Sequence, residues 1–157
     1  MKKKYLVTGG SGFIGSALVK RLLREGHSVR VFDNNSRGNL RRLESVIDKI
    51  EFVEGDIREP NQVLEACKGV DAVCHLAFVN GTKFFYELPE LVLEVGVKGM
   101  INILDACIAN NIEDLILASS SEVYQSPAEV PTSENVPLIV PDLQNPRYSY
   151  GGGKIIS

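Results

Sequence analysis

The most constraining feature of the chain is a glycine-rich turn near its start. The run Tyr5-Leu6-Val7, typical of a strand, leads directly into a turn that contains Gly9, Gly12 and Gly15. Such a turn between a strand and a helix lets backbone N–H groups approach a pyrophosphate at the positive end of the helix dipole. We predict that Gly9 forms the turn, Gly12 gives room for the pyrophosphate, and Gly15 allows close packing of helix and strand.

Short strand-like runs alternate with helical patterns along the whole chain. The predicted strands are 4–8, 28–33, 50–54, 71–76 and 114–119, and the predicted helices are 13–25, 60–68 and 89–110, with Gly26 ending the first helix. Five prolines within 125–146 predict an ordered loop without regular structure. This alternation predicts an α/β fold, a doubly wound parallel sheet of Rossmann type with helices on both faces.

Length and charge exclude several classes of protein. A chain of 157 residues is the length of one domain, and none of its apolar runs approaches the ~20 residues of a membrane span. The net charge of −3 disfavours binding to nucleic acid. Cys67, Cys74 and Cys107 lie in apolar segments, which is typical of reduced core cysteines in a cytoplasmic protein. With only His27 and His75 available, the sequence predicts no metal site.

An acidic residue ends the second predicted strand, at the position that sets cofactor preference in this fold. Asp33 is expected to accept hydrogen bonds from the adenosine ribose, which favours NAD. Arg37 could instead meet the 2′-phosphate of NADP, although Asp33 would repel that group. After the third strand, Gly55-Asp56-Ile57 is expected beside the adenine ring, but Asp56 fits a turn or helix-capping role almost equally well.

A tyrosine and a lysine four residues apart close the chain. On a helix, Tyr150 and Lys154 share one face, where the cation can favour the phenolate. Together with the glycine turn, the pair predicts dinucleotide-dependent oxidoreductase chemistry; the alternative is a tyrosine that only packs at the sheet edge. Each of the three intervening glycines, 151–153, costs a helix roughly 1 kcal/mol relative to alanine. The run therefore indicates close approach of a ligand or a neighbouring backbone, or a helix start ordered only by cofactor.

These motifs, in this order, resemble the extended short-chain dehydrogenase/reductase family, the NAD-dependent sugar-nucleotide epimerases and dehydratases. The resemblance runs the full length of the chain and rests on the glycine turn, Asp33-Asn34, Gly55-Asp56, His75-Leu76-Ala77, the run Ser119-Ser120-Ser121-Glu122-Val123-Tyr124, and Tyr150 with Lys154. The cofactor contacts that it implies are Gly9, Gly12, Phe13, Ile14, Gly15, Asp33, Asn34, Asp56, Ile57, Leu76, Ala77, Tyr150 and Lys154.

The resemblance also implies catalytic roles. Ser120 would hydrogen-bond a sugar oxygen, and Tyr150 would take the proton from a substrate hydroxyl as hydride leaves the same carbon for the nicotinamide. Lys154 would bridge the nicotinamide ribose and stabilise the phenolate. Glu122 would move a second proton in a dehydratase or decarboxylase, or would only hydrogen-bond a ribose or backbone group.

Two positions depart from the family pattern. Ser121 stands where dehydratases often carry an aspartate, and Gly96 stands where the family usually has an asparagine. Both departures favour an epimerase over a dehydratase, and the second puts in doubt whatever the asparagine orients.

The family fold continues beyond the catalytic lysine, so we expect residues 1–157 to be an NAD-binding Rossmann domain, the N-terminal part of a longer enzyme. On this interpretation the C-terminal part of the family fold is absent and the chain alone is inactive. The expected partners are a nucleotide-sugar and a second copy in a cytoplasmic homodimer. The alternatives are a catalytically silent dinucleotide-binding or redox-sensing module and a reductase of a small carbonyl.

Overall fold

A computed structural model describes residues 1–157 and contains one five-stranded parallel sheet. Its strands are β1 (Lys4–Thr8), β2 (Ser28–Asp33), β3 (Ile50–Glu54), β4 (Ala72–His75) and β5 (Asp114–Leu117), in the order β3-β2-β1-β4-β5. The predicted parallel sheet is confirmed, and β1, β2 and β3 have the predicted bounds. The fourth and fifth strands are shorter than the predicted 71–76 and 114–119. β4 ends early because the Ala77 N–H donates to the Thr8 hydroxyl instead of continuing the ladder.

Six α-helices are formed. They are α1 (Phe13–Arg24), α2 (Pro60–Cys67), α3 (Thr82–Glu87), α4 (Pro89–Leu93), α5 (Gly99–Ala109) and α6 (Ser149–Ile156). Short 3₁₀ segments cover Leu40–Lys49, Ser121–Val123 and Pro146–Tyr148, and Glu94–Lys98 is a π-helical turn. The prediction of one regular α-helix over 89–110 is therefore wrong, because the helical hydrogen bonding widens at Glu94–Lys98. α1 and α2 each end one residue before the predicted bound, and the predicted loop is without helix or strand up to Asn145.

The chain forms two compact units. The sheet unit comprises Met1–Ala77 and Gly99–Ala118, and the tyrosine unit comprises Phe78–Lys98 and Ser119–Ser157. The core cluster of the sheet unit consists of Val7, Val19, Val29, Val31, Leu43 and Cys74. The 3₁₀ segment Leu40–Lys49, which the sequence analysis did not predict, contributes the fully buried Leu43 to this cluster.

The strand order indicates where the sheet unit would bind a ligand. From β1 the chain winds outward through β2 and β3 on one side, and β4 and β5 lie on the other. Right-handed crossovers then place the helices of the two halves on opposite faces of the sheet. The order reverses between β1 and β4, so a crevice for a ligand is expected where these two strands end, at Thr8 and His75.

The three cysteine thiols are free and buried in the sheet unit. Burial raises the pKa of Cys67 to about 12, so this thiol stays protonated and unreactive, as predicted for a core cysteine. None of the helices is both long and apolar enough to cross a membrane.

Candidate functional site

The glycine turn has the geometry that its spacing predicts. Gly9 has φ +69°, a conformation that favours glycine, and its N–H donates to the Phe32 carbonyl at 2.9 Å. A Cβ on Gly9 would lie 2.9 Å from Ala77 Cα, and a Cβ on Gly15 would lie 2.1 Å from the Gly9 carbonyl oxygen. Gly9 therefore makes the turn, and the absence of a side chain at Gly15 lets α1 start directly against it.

The start of α1 is open to a ligand. Its N-cap residue is Gly12, so no side chain caps the first N–H groups of the helix. The side chains of Phe13 and Ile14 are 83% and 70% exposed. A Cβ on Gly12 would meet only the Gly9 carbonyl oxygen, at 3.0 Å. An uncapped helix start beside a glycine-rich turn fits a pyrophosphate.

Asp33 is buried beside this turn. Its Oδ2 accepts from the Ser11 N–H at 3.0 Å, and its Oδ1 accepts from the Asn35 N–H at 2.9 Å. Each carboxylate oxygen keeps a second lone pair that could accept from a ribose hydroxyl. The loop after β2 lies close to the turn, since a Cβ on Gly38 would fall 1.8 Å from Ser11 Oγ. This arrangement fits a ribose at the end of β2.

The residues after β3 have clear structural partners. Asp56 accepts from the Arg58 backbone and guanidinium, and this pairing lowers the pKa of Asp56 to about 2. Asp56 also accepts from Asn34 Nδ2 at 3.1 Å. The side chain of Ile57 is buried, and its carbonyl accepts from Asn102 Nδ2 at 2.8 Å. The turn role weighed for Asp56 is therefore present, and the cofactor contacts of Asn34, Asp56 and Ile57 stay predictions.

A buried hydroxyl joins the ends of β1 and β4. Thr8 Oγ1 accepts from the Leu76 and Ala77 N–H groups, each at 3.2 Å, and lies 2.7 Å from His75 Nδ1. Leu76 and Ala77, two predicted cofactor contacts, are thus held beside the glycine turn, where Gly9 touches Ala77. The sequence analysis overlooked Thr8, although a polar residue at the end of a buried strand was the available signal.

The tyrosine unit places Tyr150 and Lys154 one turn apart on α6, as predicted, with exposures of only 6% and 7%. The Phe78 ring meets the Tyr150 ring edge-on at 5.0 Å, and Phe85 stacks on Tyr150 at 5.3 Å. Lys154 Nζ lies 4.2 Å from the centroid of Phe78. Burial lowers the pKa of Lys154 to about 8. Tyr150 is thus packed in an aromatic cluster and also accompanied by a buried cation.

Ser120 and Glu122 lie in the same unit. Ser120 Oγ accepts from the Glu122 N–H at 3.2 Å and caps the segment Ser121–Val123, which leaves its own O–H to donate. Glu122 Oε1 accepts from Arg147 Nη2 at 3.0 Å, and this hydrogen bond raises the pKa of Arg147. The Arg147 guanidinium also lies 5.3 Å from the centroid of Phe85. The carboxylate of Glu122 is therefore held by a permanent cation.

The glycine run of α6 is explained at two of its three positions. A Cβ on Gly151 would lie 2.6 Å from Gln125 Nε2 and 3.1 Å from the Glu122 carbonyl oxygen. A Cβ on Gly153 would lie 3.3 Å from Phe78 Cζ, whereas one on Gly152 would make only an ordinary contact of 3.7 Å with Val140. The predicted close approach of a neighbouring backbone is found at Gly151, beside the Glu122 carbonyl, whereas at Gly153 the close neighbour is the Phe78 side chain.

Three functional candidates were missed by sequence reasoning: Phe78, Phe85 and Arg147. Phe78 and Phe85 lie far from Tyr150 in the sequence, and Arg147 pairs with Glu122, 25 residues away, so no local spacing signals these contacts. The unusual glycines at 96 and 153 were the available signal, because each indicates a bulky neighbour that the sequence does not identify.

The chain matches the NAD dependent epimerase/dehydratase family over residues 5–157. It is 35% identical over 150 residues to a UDP-N-acetyl-alpha-D-glucosaminuronate decarboxylase of Bacillus cytotoxicus, covering 96% of this chain and 46% of that protein. It is 36% identical over 154 residues to a UDP-glucose 4-epimerase of Mycolicibacterium smegmatis, covering 96% of this chain and 47% of that protein.

Among solved structures, the UDP-glucose 4-epimerase of Brucella ovis in complex with NAD superposes with a TM-score of 0.84 at 32% identity. That match covers 98% of this chain and 45% of the Brucella chain. The chain thus spans about half the length of the relatives that it matches. The match over nearly every residue confirms the predicted resemblance, and the chain belongs to the NAD-dependent epimerase/dehydratase family.

Proposed function

We propose that residues 1–157 form the NAD-binding domain of an enzyme that acts on a nucleotide-sugar by transient oxidation at one carbon. The observation that carries this proposal is the pair on α6, where Tyr150 and the buried Lys154 lie one turn apart. A merely packed tyrosine needs no ammonium beside it, and a buried cation with a lowered pKa one helical turn from a tyrosine is typical of a functional site.

The residues of the sheet unit fit NAD. When bound, NAD supplies the hydride acceptor for the substrate carbon. The N–H groups of Phe13 and Ile14 would hold the pyrophosphate, because no side chain caps the start of α1, and Gly12 would allow its close approach. Asp33 would accept from the hydroxyls of the adenosine ribose, and its buried carboxylate would repel the 2′-phosphate of NADP.

Proton transfer is assigned to the tyrosine unit. Tyr150 would accept the proton of the substrate hydroxyl at its phenolic oxygen, and Lys154 would favour the phenolate and bind the nicotinamide ribose. With its pKa lowered to about 8, Lys154 is still mostly protonated at neutral pH and can supply this charge. Ser120 would donate its free O–H to the sugar oxygen while its Oγ accepts from Glu122 N–H.

Within the family chemistry we favour epimerisation over dehydration. A dehydratase base must take a proton from the carbon beside the new ketone. Glu122, the candidate for that role, already pairs with the Arg147 guanidinium through Oε1, so a structural role accounts for this carboxylate. Ser121 also replaces the acid expected in a dehydratase.

The test is conversion of UDP-hexoses in deuterated water by the longer enzyme that the resemblance implies. We expect the C4 epimer to form without deuterium at the carbon beside the oxidised one, and the Glu122→Gln variant to keep the initial hydride transfer. Label at that carbon, lost in Glu122→Gln, would replace epimerisation by dehydration. Absence of both NAD binding and conversion would overturn the proposal. The homodimer and the cytoplasmic location stay predictions, and light scattering checks the first.

A further inference from the structure

One aromatic ring contacts both members of the proposed catalytic pair. Phe78 and Tyr150 form a T-shaped pair with an interplanar angle of 79°, and Lys154 Nζ lies 4.2 Å from the centroid of the Phe78 ring. Phe85 also stacks on Tyr150, and the Arg147 guanidinium lies over the Phe85 ring. Phe78 is thus placed to orient Tyr150 and Lys154 together.

The same ring explains the departure at Gly96. A Cβ on this buried glycine would lie 2.3 Å from Phe78 Cζ and 2.8 Å from Phe78 Cε2, distances that real side chains do not reach. The tip of the ring therefore occupies the volume into which a side chain at position 96 would project. The ring tip also limits Gly153, where a Cβ would lie 3.3 Å from Phe78 Cζ.

The chemistry of the contact calls for a ring and not only for apolar bulk. A buried ammonium loses its hydration, which destabilises the charged form. The negative face of an aromatic ring attracts the cation and offsets part of this cost, whereas an aliphatic side chain of similar volume does not. The edge-on packing against Tyr150 likewise depends on the ring quadrupole. An aromatic side chain at position 78 can thus help to keep the buried Lys154 charged and in place.

We infer that Phe78 is a positioning residue for Tyr150 and Lys154, and that Gly96 is its matched partner, which leaves the space that the ring fills. The inference rests on the proposed function for the roles of Tyr150 and Lys154. It goes further, because it names a residue outside the pair that holds both side chains and explains why position 96 carries no side chain.

The first experiment measures the pKa of Lys154 by NMR in the wild type and in Phe78→Leu. Leucine keeps the site apolar but removes the π face, so the charged form loses stabilisation and the pKa should fall by about half a pH unit. Phe52→Leu, which removes a ring packed on the sheet-unit core, is the matched control and should leave the Lys154 pKa unchanged. An unchanged or raised pKa in Phe78→Leu would show that the ring only fills space and would overturn the inference.

The second experiment is a double-mutant cycle in thermal unfolding. Gly96→Ala should lower the Tm of the wild type by about 2 °C or more, because the new methyl meets the Phe78 ring. In the Phe78→Leu background, where the ring tip is absent, the same change should be neutral or stabilising. If Gly96→Ala changes the Tm equally in the wild type and in Phe78→Leu, Phe78 and Gly96 are not a matched pair. If Phe78→Leu fails to fold, Gly96→Ala still tests the pairing of Phe78 with Gly96, because the new methyl group displaces the ring. The pKa of Lys154 should then shift. A constant pKa would show that the ring does not stabilise the ammonium and would overturn the inference.

Steady-state kinetics of Phe78→Leu and Tyr150→Phe distinguish a failure of this inference from a failure of the proposed function. Phe78→Leu should lower kcat by about threefold or more with KM nearly unchanged, in proportion to the weaker stabilisation of the Lys154 cation. If Tyr150→Phe retains full turnover, the proposed function fails, whereas the pKa and unfolding results still decide the role of Phe78.

Discussion

At the scale of single residues, a Gly→Ala substitution shows which glycines the fold requires, because it adds one methyl group that either clashes or fits. Gly15→Ala would place a Cβ 2.1 Å from a backbone oxygen, so we expect about 1–3 kcal/mol of destabilisation and weaker NAD binding. Gly152→Ala, the control, makes only a 3.7 Å contact and should stabilise α6 by up to about 1 kcal/mol. Urea unfolding and NAD titration check both variants, and a stable, NAD-binding Gly15→Ala protein would contradict the account of the turn.

Asp33 sets the preference between the two dinucleotides. Its buried carboxylate at the end of β2 should make NAD bind at least tenfold tighter than NADP, a difference of about 1.4 kcal/mol. Calorimetric titration of the two cofactors measures this ratio directly. Equal or tighter binding of NADP would reject the assignment and make Arg37 the ligand of a 2′-phosphate.

Lys154 should give the folding stability a specific dependence on pH. Its folded pKa of about 8 lies below its ordinary value of 10.5, so between these values the unfolded chain binds more protons and the contribution of Lys154 to stability rises with pH. Below about pH 8 the folded state carries the whole cost of the buried charge. The free energy of unfolding of Lys154→Met, minus that of the wild type, should therefore be largest below pH 8 and decrease toward pH 10.5. A difference that is constant across this range would contradict the depressed pKa.

At the scale of elements, the join between β1 and β4 gives a further prediction. Thr8→Val removes the hydroxyl that accepts from the Leu76 and Ala77 N–H groups and pairs with His75. Because these groups are buried or half-buried, the loss should destabilise the protein by about 1–3 kcal/mol. Thr8→Ser keeps the hydroxyl and should retain most of the stability. Denaturant unfolding of the two variants makes the comparison, and equal stabilities would show that the hydroxyl is dispensable.

Local patterns predicted some elements better than others. The bounds of β1, β2 and β3 follow from apolar runs that end in glycine or acidic residues, and these signals lie within a few residues of each strand. The π-helical turn Glu94–Lys98 could not be predicted from the sequence, because the spacing of apolar residues does not show which carbonyl each N–H group bonds. The segment Leu40–Lys49 carried a readable signal, with Leu43 and Val46 three residues apart and packed on the same core.

Some residues of the candidate site could likewise be predicted from local patterns, and others could not. Tyr150 with Lys154, and the glycine turn, were predictable because each is a spacing within one element. Phe78, Phe85 and Arg147 were not, since their contacts with Tyr150, Lys154 and Glu122 join residues that are far apart in the sequence. Such contacts depend on how separate segments pack, which a single sequence does not specify.

At the scale of the whole molecule, the central claim is that Tyr150 accepts a proton during NAD-dependent oxidation of a sugar. Tyr150→Phe removes only the phenolic oxygen and keeps the ring that packs on Phe78 and Phe85, so fold and NAD affinity should be preserved. Lys154→Met, in contrast, should weaken both NAD binding and turnover, because Lys154 is assigned to both.

The most direct measurement is the rate at which reduced nicotinamide appears when the NAD-loaded enzyme is mixed with a UDP-hexose, compared between wild type and Tyr150→Phe. Loss of a positioned base should slow this step by about 10²-fold or more while the Kd for NAD stays within a few-fold of the wild-type value. A wild-type rate of nicotinamide reduction in Tyr150→Phe would contradict the account.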